Sequence, residues 1–327
     1  MNIAMFSTKP YDQTYFEKYN KNPNYKISFF ETSLNKDTAN LAMGFDIVCI
    51  FVNDEIDKET IKILAKNKIR LIAMRCAGYN NVDLESAKNH HIKVVRVPAY
   101  SPESVAEHSV ALILTLNRKT HKAYNRIREG NFSLKNLIGF NLYRKTVGII
   151  GTGKIGAALC RILIGFGCEV VAFDIVKYKK LINLGVKYLP LKEVFERSDI
   201  LSLHCPLTPE TKHIVNKESL SLMKKGVMII NTSRGALINT ADVIESLSSH
   251  RVGYLGIDVY EQEENLFYED LSESIIQDDL ILRLNSFPNV LITSHQAYFT
   301  KEAMKEITLT TLENFAAFEK NSILENL

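Results

Sequence analysis

The 327-residue chain carries 40 Lys and Arg against 37 Asp and Glu; the net charge of +3 is too small to point to a nucleic-acid partner. With 46% apolar and 24% charged residues it has ordinary globular composition, and its length predicts two domains rather than one core. Five cysteines without a C-x-x-C pair argue for reduced thiols, the MNIAMFS start lacks the marks of a signal peptide, and no apolar run approaches the roughly 20 residues that span a bilayer, so a soluble cytoplasmic protein is expected.

From residue 1 to about 100, short apolar runs at Ile3–Phe6, Ile27–Phe30, Ile47–Val52, Leu71–Met74 and Val94–Val97 alternate with polar amphipathic segments. That rhythm predicts a parallel sheet with helices on both faces. The run VPAYSP at 97–102 marks a boundary, because two prolines interrupt helix and ladder alike. Ser101 is placed to cap a helix that has Pro102 at its first position and continues to Thr120. Its residues are apolar or small nearly all round, so it is expected to be buried, between domains or against a second subunit. The basic run from Arg118 to Arg128 reads as a solvated helix face.

The stretch from Lys145 to Asp174 has its parts in the order a dinucleotide-binding βαβ unit needs. Val147–Ile150 reads as a buried strand, and Gly151, Gly153 and Gly156 give G-x-G-x-x-G. One glycine serves the tight turn, one lets the backbone approach a pyrophosphate, and one allows close helix-to-strand packing. The helix that follows ends at Gly165–Gly167, and Glu169–Phe173 reads as the second strand. Asp174 closes that strand, where a carboxylate accepts hydrogen bonds from both ribose hydroxyls of NAD and repels the 2′-phosphate of NADP.

Further strands are predicted at Ile200–His204, Val227–Thr232, Val252–Asp258 and Val290–Ser294, followed by an amphipathic helix over Thr300–Lys320. Ligands of open parallel sheets bind beyond the carboxyl ends of the strands, so the residues just downstream are the ones to inspect. They are Arg234, the acids from Asp258 through Glu261 and Glu263, and His295. Each has an ordinary alternative: a surface ion pair, a solvated loop acid, a satisfied strand-end histidine. Together they meet the needs of hydride transfer to a 2-keto acid. An arginine grips the carboxylate, a protonated imidazole gives the oxygen its proton, and an acid on the other ring nitrogen fixes the ring. Neither H-E-x-x-H nor G-x-S-x-G occurs, which disfavours a metal centre and a serine hydrolase.

Eight runs carry a resemblance over nearly the whole chain: RCAGYNNVD (75–83), VPAYSPESVAEH (97–108), TLNRKTHKAYNRIREGNFSL (115–134), GTGKIG (151–156), SLHCPLT (202–208), NTSRGALI (231–238), DVYE (258–261) and SHQAYFTKEA (294–303). Their content and order resemble the D-isomer-specific 2-hydroxyacid dehydrogenases, and within them the fermentative D-lactate dehydrogenases of bacteria. The resemblance implies two Rossmann-like, doubly wound α/β domains with a cleft between them. The substrate domain would be flavodoxin-like and comprise 1–100 plus 299–327, and the NAD-binding domain 101–298, which would contribute a homo-oligomer contact. It implies Arg234 for the substrate, His295 as proton donor and Glu263, rather than Glu261 or Glu264, as the acid behind it. For the cofactor it implies Gly151, Gly153, Lys154, Ile155, Gly156, Asp174, Cys205, Pro206, Thr232, Ser233 and Asp258. Ala77 and Gly78 resemble backbone donors to the substrate carboxylate, with Tyr100 and Tyr298 lining the pocket. One departure is Arg144, where relatives usually carry glycine; a positive φ there would strain the turn by roughly 1–2 kcal/mol.

The expected activity is reversible reduction of pyruvate to D-lactate by NADH, with no metal. The alternatives are a dehydrogenase of longer or branched 2-keto acids, and a non-enzymatic NAD(H)-sensing protein of the co-repressor type.

Overall fold

The computed structural model describes residues 1–263 and 266–320. The chain forms two compact units, Pro102–Tyr298 being one, and Met1–Ser101 with the chain from Phe299 onward the other. Of the carboxyl-terminal piece expected in the first domain, 321–327 lies outside the described residues, as does Glu264.

The first unit is a five-stranded parallel sheet of β1 (Asn2–Met5), β2 (Lys26–Phe29), β3 (Ile47–Ile50), β4 (Leu71–Met74) and β5 (Lys93–Val95), in the order β2-β1-β3-β4-β5. That is the flavodoxin-like order. The side chains of β3 and β4 are all buried, as expected for strands covered on both faces. Alternation divides them: Ile3 and Met5 join Phe16, Phe315 and Phe318 on one face, while Ala4 and Phe6 join Leu34, Ile61 and Leu64 on the other. Phe315 comes from the terminal helix Lys301–Glu319, whose start is capped by Thr300 accepting the Ala303 N–H at 3.2 Å. Full burial of that ring contributes about 1.5–3 kcal/mol toward holding the helix on this sheet.

The second unit holds a seven-stranded parallel sheet: β6 (Thr146–Ile150), β7 (Glu169–Phe173), β8 (Lys187–Tyr188), β9 (Ile200–Leu203), β10 (Val227–Asn231), β11 (Val252–Ile257) and β12 (Val290–Ile292). The order β12-β11-β10-β9-β6-β7-β8 puts the direction switch between β6 and β9, the arrangement of dinucleotide-binding folds. The two-residue edge strand β8 has no apolar run and was invisible to pattern.

One expectation is corrected here. The helix expected to reach Thr120 ends at Arg118, because Lys119 adopts left-handed backbone at φ +52°, and a second helix runs Thr120–Arg128. The first of these helices packs part of its surface within its own unit. Ala106, Val110, Leu112, Ile113 and Leu116 pack with Val147, Leu159 and Leu163, whereas Ala111 is exposed. The second helix buries none of its residues. Arg144 does take a positive φ, +63°, and its N–H donates to the Gly167 carbonyl at 2.9 Å.

Candidate active site

In the second unit the glycine turn sits at the switch point. A Cβ on Gly151, at φ +90°, would meet the Cys205 nitrogen at 2.5 Å, and one on Gly156 would lie 2.0 Å from the Gly151 carbonyl oxygen. Only hydrogen fits at either position. At Gly153 a Cβ would meet nothing within 4 Å, so the main chain faces open space where the helix Lys154–Gly165 begins. A side-chain-free approach to free helix N–H groups is what a diphosphate needs. Lys154 is exposed and Ile155 half-buried in that first turn.

Asp174, at the end of β7, accepts the Thr152 N–H at 2.5 Å and the Thr152 hydroxyl at 2.9 Å through one oxygen, and the Val176 N–H at 3.0 Å through the other. The carboxylate is thereby pinned to the glycine turn, with the Tyr188 hydroxyl donating to Thr152 at 2.9 Å behind it. The ends of β9 and β10 are tied as well, since the Ser233 hydroxyl donates to the Cys205 carbonyl at 2.8 Å. Burial pushes the Cys205 thiol up to about 11, which favours the protonated thiol near pH 7. The Pro206 carbonyl accepts the Thr211 hydroxyl at 2.7 Å, and Thr232 shares a 2.9 Å hydrogen bond with Ser109. His204, beside the same turn, is pushed down to about 4 by burial and stays neutral near pH 7.

Main-chain bonds carry the ladder past the last residues of the strands. The Asp258 N–H donates to the Asn231 carbonyl at 2.9 Å, and the His295 N–H to the Asp258 carbonyl at 2.7 Å. The turn holding Arg234 therefore lies beside Asp258, and Asp258 beside His295. Asn231 braces the first turn by accepting the Ser233 N–H at 3.1 Å and donating to the Arg234 carbonyl at 2.8 Å. Gly235 is required next to it: a Cβ there would come within 2.1 Å of the Tyr260 carbonyl. Arg234 reaches the Ser233 carbonyl through one guanidinium nitrogen at 2.6 Å and, among the described residues, forms no ion pair.

His295 Nδ1 lies 2.8 Å from Glu263 Oε1, with the side chains 17% and 23% exposed. A carboxylate only accepts, so Nδ1 carries the hydrogen and Nε2 is left for exchange. Glu263 is fixed in turn by accepting the Tyr260 N–H at 2.8 Å. His295 itself has φ +53°, and Tyr268 closes over it, donating to its carbonyl at 3.0 Å. Glu261 points elsewhere: it accepts the Thr240 hydroxyl at 3.0 Å and meets His213 Nε2 at 2.5 Å.

Asp258 is buried, and its carboxylate is taken up by protein donors. One oxygen takes the hydroxyl of Thr293 and the Gln296 N–H at 2.9 Å; the other takes the Ala297 N–H at 2.8 Å. Burial alone would raise its carboxyl, but the donors His108, Thr293, Gln296 and Ala297 outweigh it and hold it below the usual carboxylate range. Tyr298, next in the chain, is 7% exposed.

Ala77, Gly78 and Tyr100 belong to the first unit. The Ala77 carbonyl accepts from Arg96 at 2.7 Å, the Arg96 guanidinium stacks over the Tyr79 ring at 4.9 Å, and the Cys76 thiol donates to the Gly78 carbonyl at 3.3 Å. These contacts set the loop after β4. Sequence reasoning gave no role to Arg96, His108, Thr152, Asn231, Tyr268 or Thr293. Three of them, His108, Thr152 and Asn231, stand inside the runs that carried the resemblance.

A family model described as "D-isomer specific 2-hydroxyacid dehydrogenase, NAD binding domain" matches residues 110–297. D-lactate dehydrogenase of Escherichia coli (strain K12) is 50% identical over 326 residues, covering 100% of this chain and 99% of that protein. The apo-structure of D-lactate dehydrogenase from Escherichia coli superposes with a TM-score of 0.91 at 48% identity, covering 100% of this chain and 99% of that one. A D-lactate dehydrogenase from Aquifex aeolicus, solved with NAD and lactic acid, gives a TM-score of 0.87 at 34% identity, over 98% and 96% of the two chains.

Proposed function

This chain belongs to the D-isomer specific 2-hydroxyacid dehydrogenase family, and from that premise we propose that it reduces pyruvate reversibly to D-lactate with NADH. The observation that carries the reading is the 2.8 Å bond from Glu263 to His295 Nδ1, which leaves Nε2 to serve a substrate at the strand edge that also ends in Arg234. The cofactor fits the residues present. Gly151 and Gly156 admit no side chain, Gly153 opens the backbone at a helix start, and Asp174 stands across the turn for the ribose. Lys154, Ile155, Cys205, Pro206, Thr232 and Ser233 complete the assigned cofactor contacts.

Bound NADH supplies the hydride that adds to the keto carbon. Arg234 grips the substrate carboxylate through two parallel hydrogen bonds and fixes which carbonyl face is presented. His295 Nε2 gives its proton to the keto oxygen as negative charge gathers there, and in lactate oxidation the same nitrogen takes the proton back. Glu263 holds the Nδ1 hydrogen and stabilises the imidazolium form that donates. We assign Asp258 to the carboxamide end of the cofactor through the turn it organises. Ala77, Gly78, Tyr100 and Tyr298 are assigned to the substrate as well.

We also propose a cytoplasmic homo-oligomer. What supports an assembly is that Tyr124, Ile127, Phe132, Leu134, Ile138 and Tyr143, all within residues 124–143 of the second unit, are exposed. Among the described residues no helix is long and apolar enough to cross a membrane.

The test is NADH oxidation on adding pyruvate to the purified protein, with chiral analysis of the product. D-lactate is expected, at a higher kcat/KM than the branched product of 2-ketoisocaproate. No oxidation with any 2-keto acid would remove the reading, and a preference for the branched acid would transfer it to the longer substrates. Sedimentation of the wild type beside Ile138→Lys tests the assembly: a faster-sedimenting wild type and a slower variant are expected.

A further inference from the structure

We propose that His108 is a positioning residue for the proton donor, acting through Thr293 and Asp258 on the turn that carries His295. The proposal rests on the assignment of His295 made above and adds two residues that no part of that assignment requires.

The chain of contacts has a fixed direction. Thr293 gives its single hydroxyl hydrogen to Asp258 Oδ1, a carboxylate oxygen that can only accept. Toward His108 the Thr293 oxygen is therefore the acceptor, and His108 Nε2, 3.1 Å away, carries the hydrogen. The same Nε2 stands 3.5 Å from Asp258 Oδ1, with His108 18% exposed and Asp258 fully buried. Asp258 in turn holds three consecutive amides: its carbonyl accepts the His295 N–H at 2.7 Å, and its carboxylate accepts the Gln296 and Ala297 N–H groups at 2.9 and 2.8 Å.

Those three amides surround the residue at φ +53°, a backbone region that an L-residue enters at a cost of about 1–2 kcal/mol. A turn held against its preference needs something to hold it. The carboxylate does so, and its own orientation is set by the hydroxyl and imidazole on its far side. His108 is well placed for this because its helix is braced independently: the neighbouring Ser109 bonds Thr232 at 2.9 Å and donates to the Val105 carbonyl at 2.9 Å. One helix thus references both the β10 turn and the β12 turn.

The experiment compares His108→Leu, His108→Gln, Thr293→Val, Thr293→Ser and the double variant His108→Leu/Thr293→Val. Two readouts are taken: amide hydrogen exchange of peptides covering 294–298, and kcat for pyruvate with KM for NADH. Exchange in that turn should quicken about tenfold in the Leu and Val variants, while peptides of β6 and β7 stay as in the wild type. kcat should fall about tenfold with KM for NADH within about twofold, the double variant being no worse than Thr293→Val alone. His108→Gln and Thr293→Ser, which keep a donor and a hydroxyl, should recover most of both. Unchanged exchange at 294–298 in His108→Leu, or additive losses in the double variant, would overturn the proposal. Should the wild type fail to oxidise NADH with pyruvate, the functional reading would fall instead, and the exchange readout would still decide the role of His108.

Discussion

Two histidine–glutamate pairs stand within one unit and draw their acids from the same short stretch, yet only one of them is assigned to a substrate. His213 meets Glu261 at 2.5 Å and His295 meets Glu263 at 2.8 Å; both histidines have positive φ, +54° and +53°, and both pairs are partly exposed. By distance alone the first is the tighter. What separates them is the surroundings. Glu261 also binds Thr240, and the His213 N–H donates to the Ala236 carbonyl at 2.8 Å, so that pair stitches loops together. His295 follows a strand end beside Tyr268, and Asp258 accepts its N–H and those of the next two residues. An imidazole–carboxylate bond is common structural chemistry; the assignment to substrate rests on the held turn and on Arg234, which forms no ion pair among the described residues.

The largest effect expected is from His295→Gln, which should lower kcat for pyruvate about 1,000-fold by removing the proton donor, with NADH binding unchanged by fluorescence titration. Turnover near wild type would erase the distinction between the pairs. Arg234→Gln comes next: kcat/KM for pyruvate should fall about 100-fold, mostly through KM, because the lost contact holds the substrate carboxylate. A loss confined to kcat would place Arg234 elsewhere in the reaction. Glu263→Gln should cost about tenfold in kcat, since an amide still holds the ring but no longer favours its charged form. His213→Gln should leave kcat and both KM values within about twofold and lower stability to denaturant by about 1 kcal/mol, the value of one hydrogen bond. A loss of activity there matching that of His295→Gln would reverse the roles argued for the two pairs.

The smallest prediction concerns a buried histidine whose ring bonds Ser202 rather than an acid. His204 is pushed from 6.5 down to about 4 by burial, so below pH 6.5 the unfolded chain takes up a proton that the native one refuses. Its contribution is complete above 6.5 and is lost as pH falls toward 4. Asp258, held below its ordinary value of 3.8, has the same sign and extends the loss further into acid. His204→Asn should flatten the decline of the thermal midpoint between pH 6.5 and 4. An equally steep decline in the variant would mean that other groups drive it.

Much of this was legible beforehand because it rests on local pattern. The glycine spacing, the β-branched runs and the acid closing β7 each follow from a backbone requirement that the residues themselves display. The helix break at Lys119 was not legible, since a lysine in left-handed backbone carries no local signal, and neither was the two-residue β8. At the site, strand ends pointed to Arg234 and His295, but the preference for Glu263 over Glu261 came from resemblance. Spacing could not make that choice, because both acids reach a histidine and differ in which one. Thr293 and His108 lie 185 positions apart and meet through tertiary packing alone. The amides that Asp258 holds were not legible either, because an acid at a strand end looks alike in sequence whether it faces solvent or main-chain N–H groups.

The most direct test of the account is a crystal structure with NADH and oxamate, an unreactive mimic of pyruvate. His295 Nε2 should lie about 3 Å from the oxygen that stands for the keto group, with the Arg234 guanidinium on the carboxylate and His213 still bonded to Glu261. A structure in which another donor occupies that position, with His295 turned away from the mimic, would contradict it.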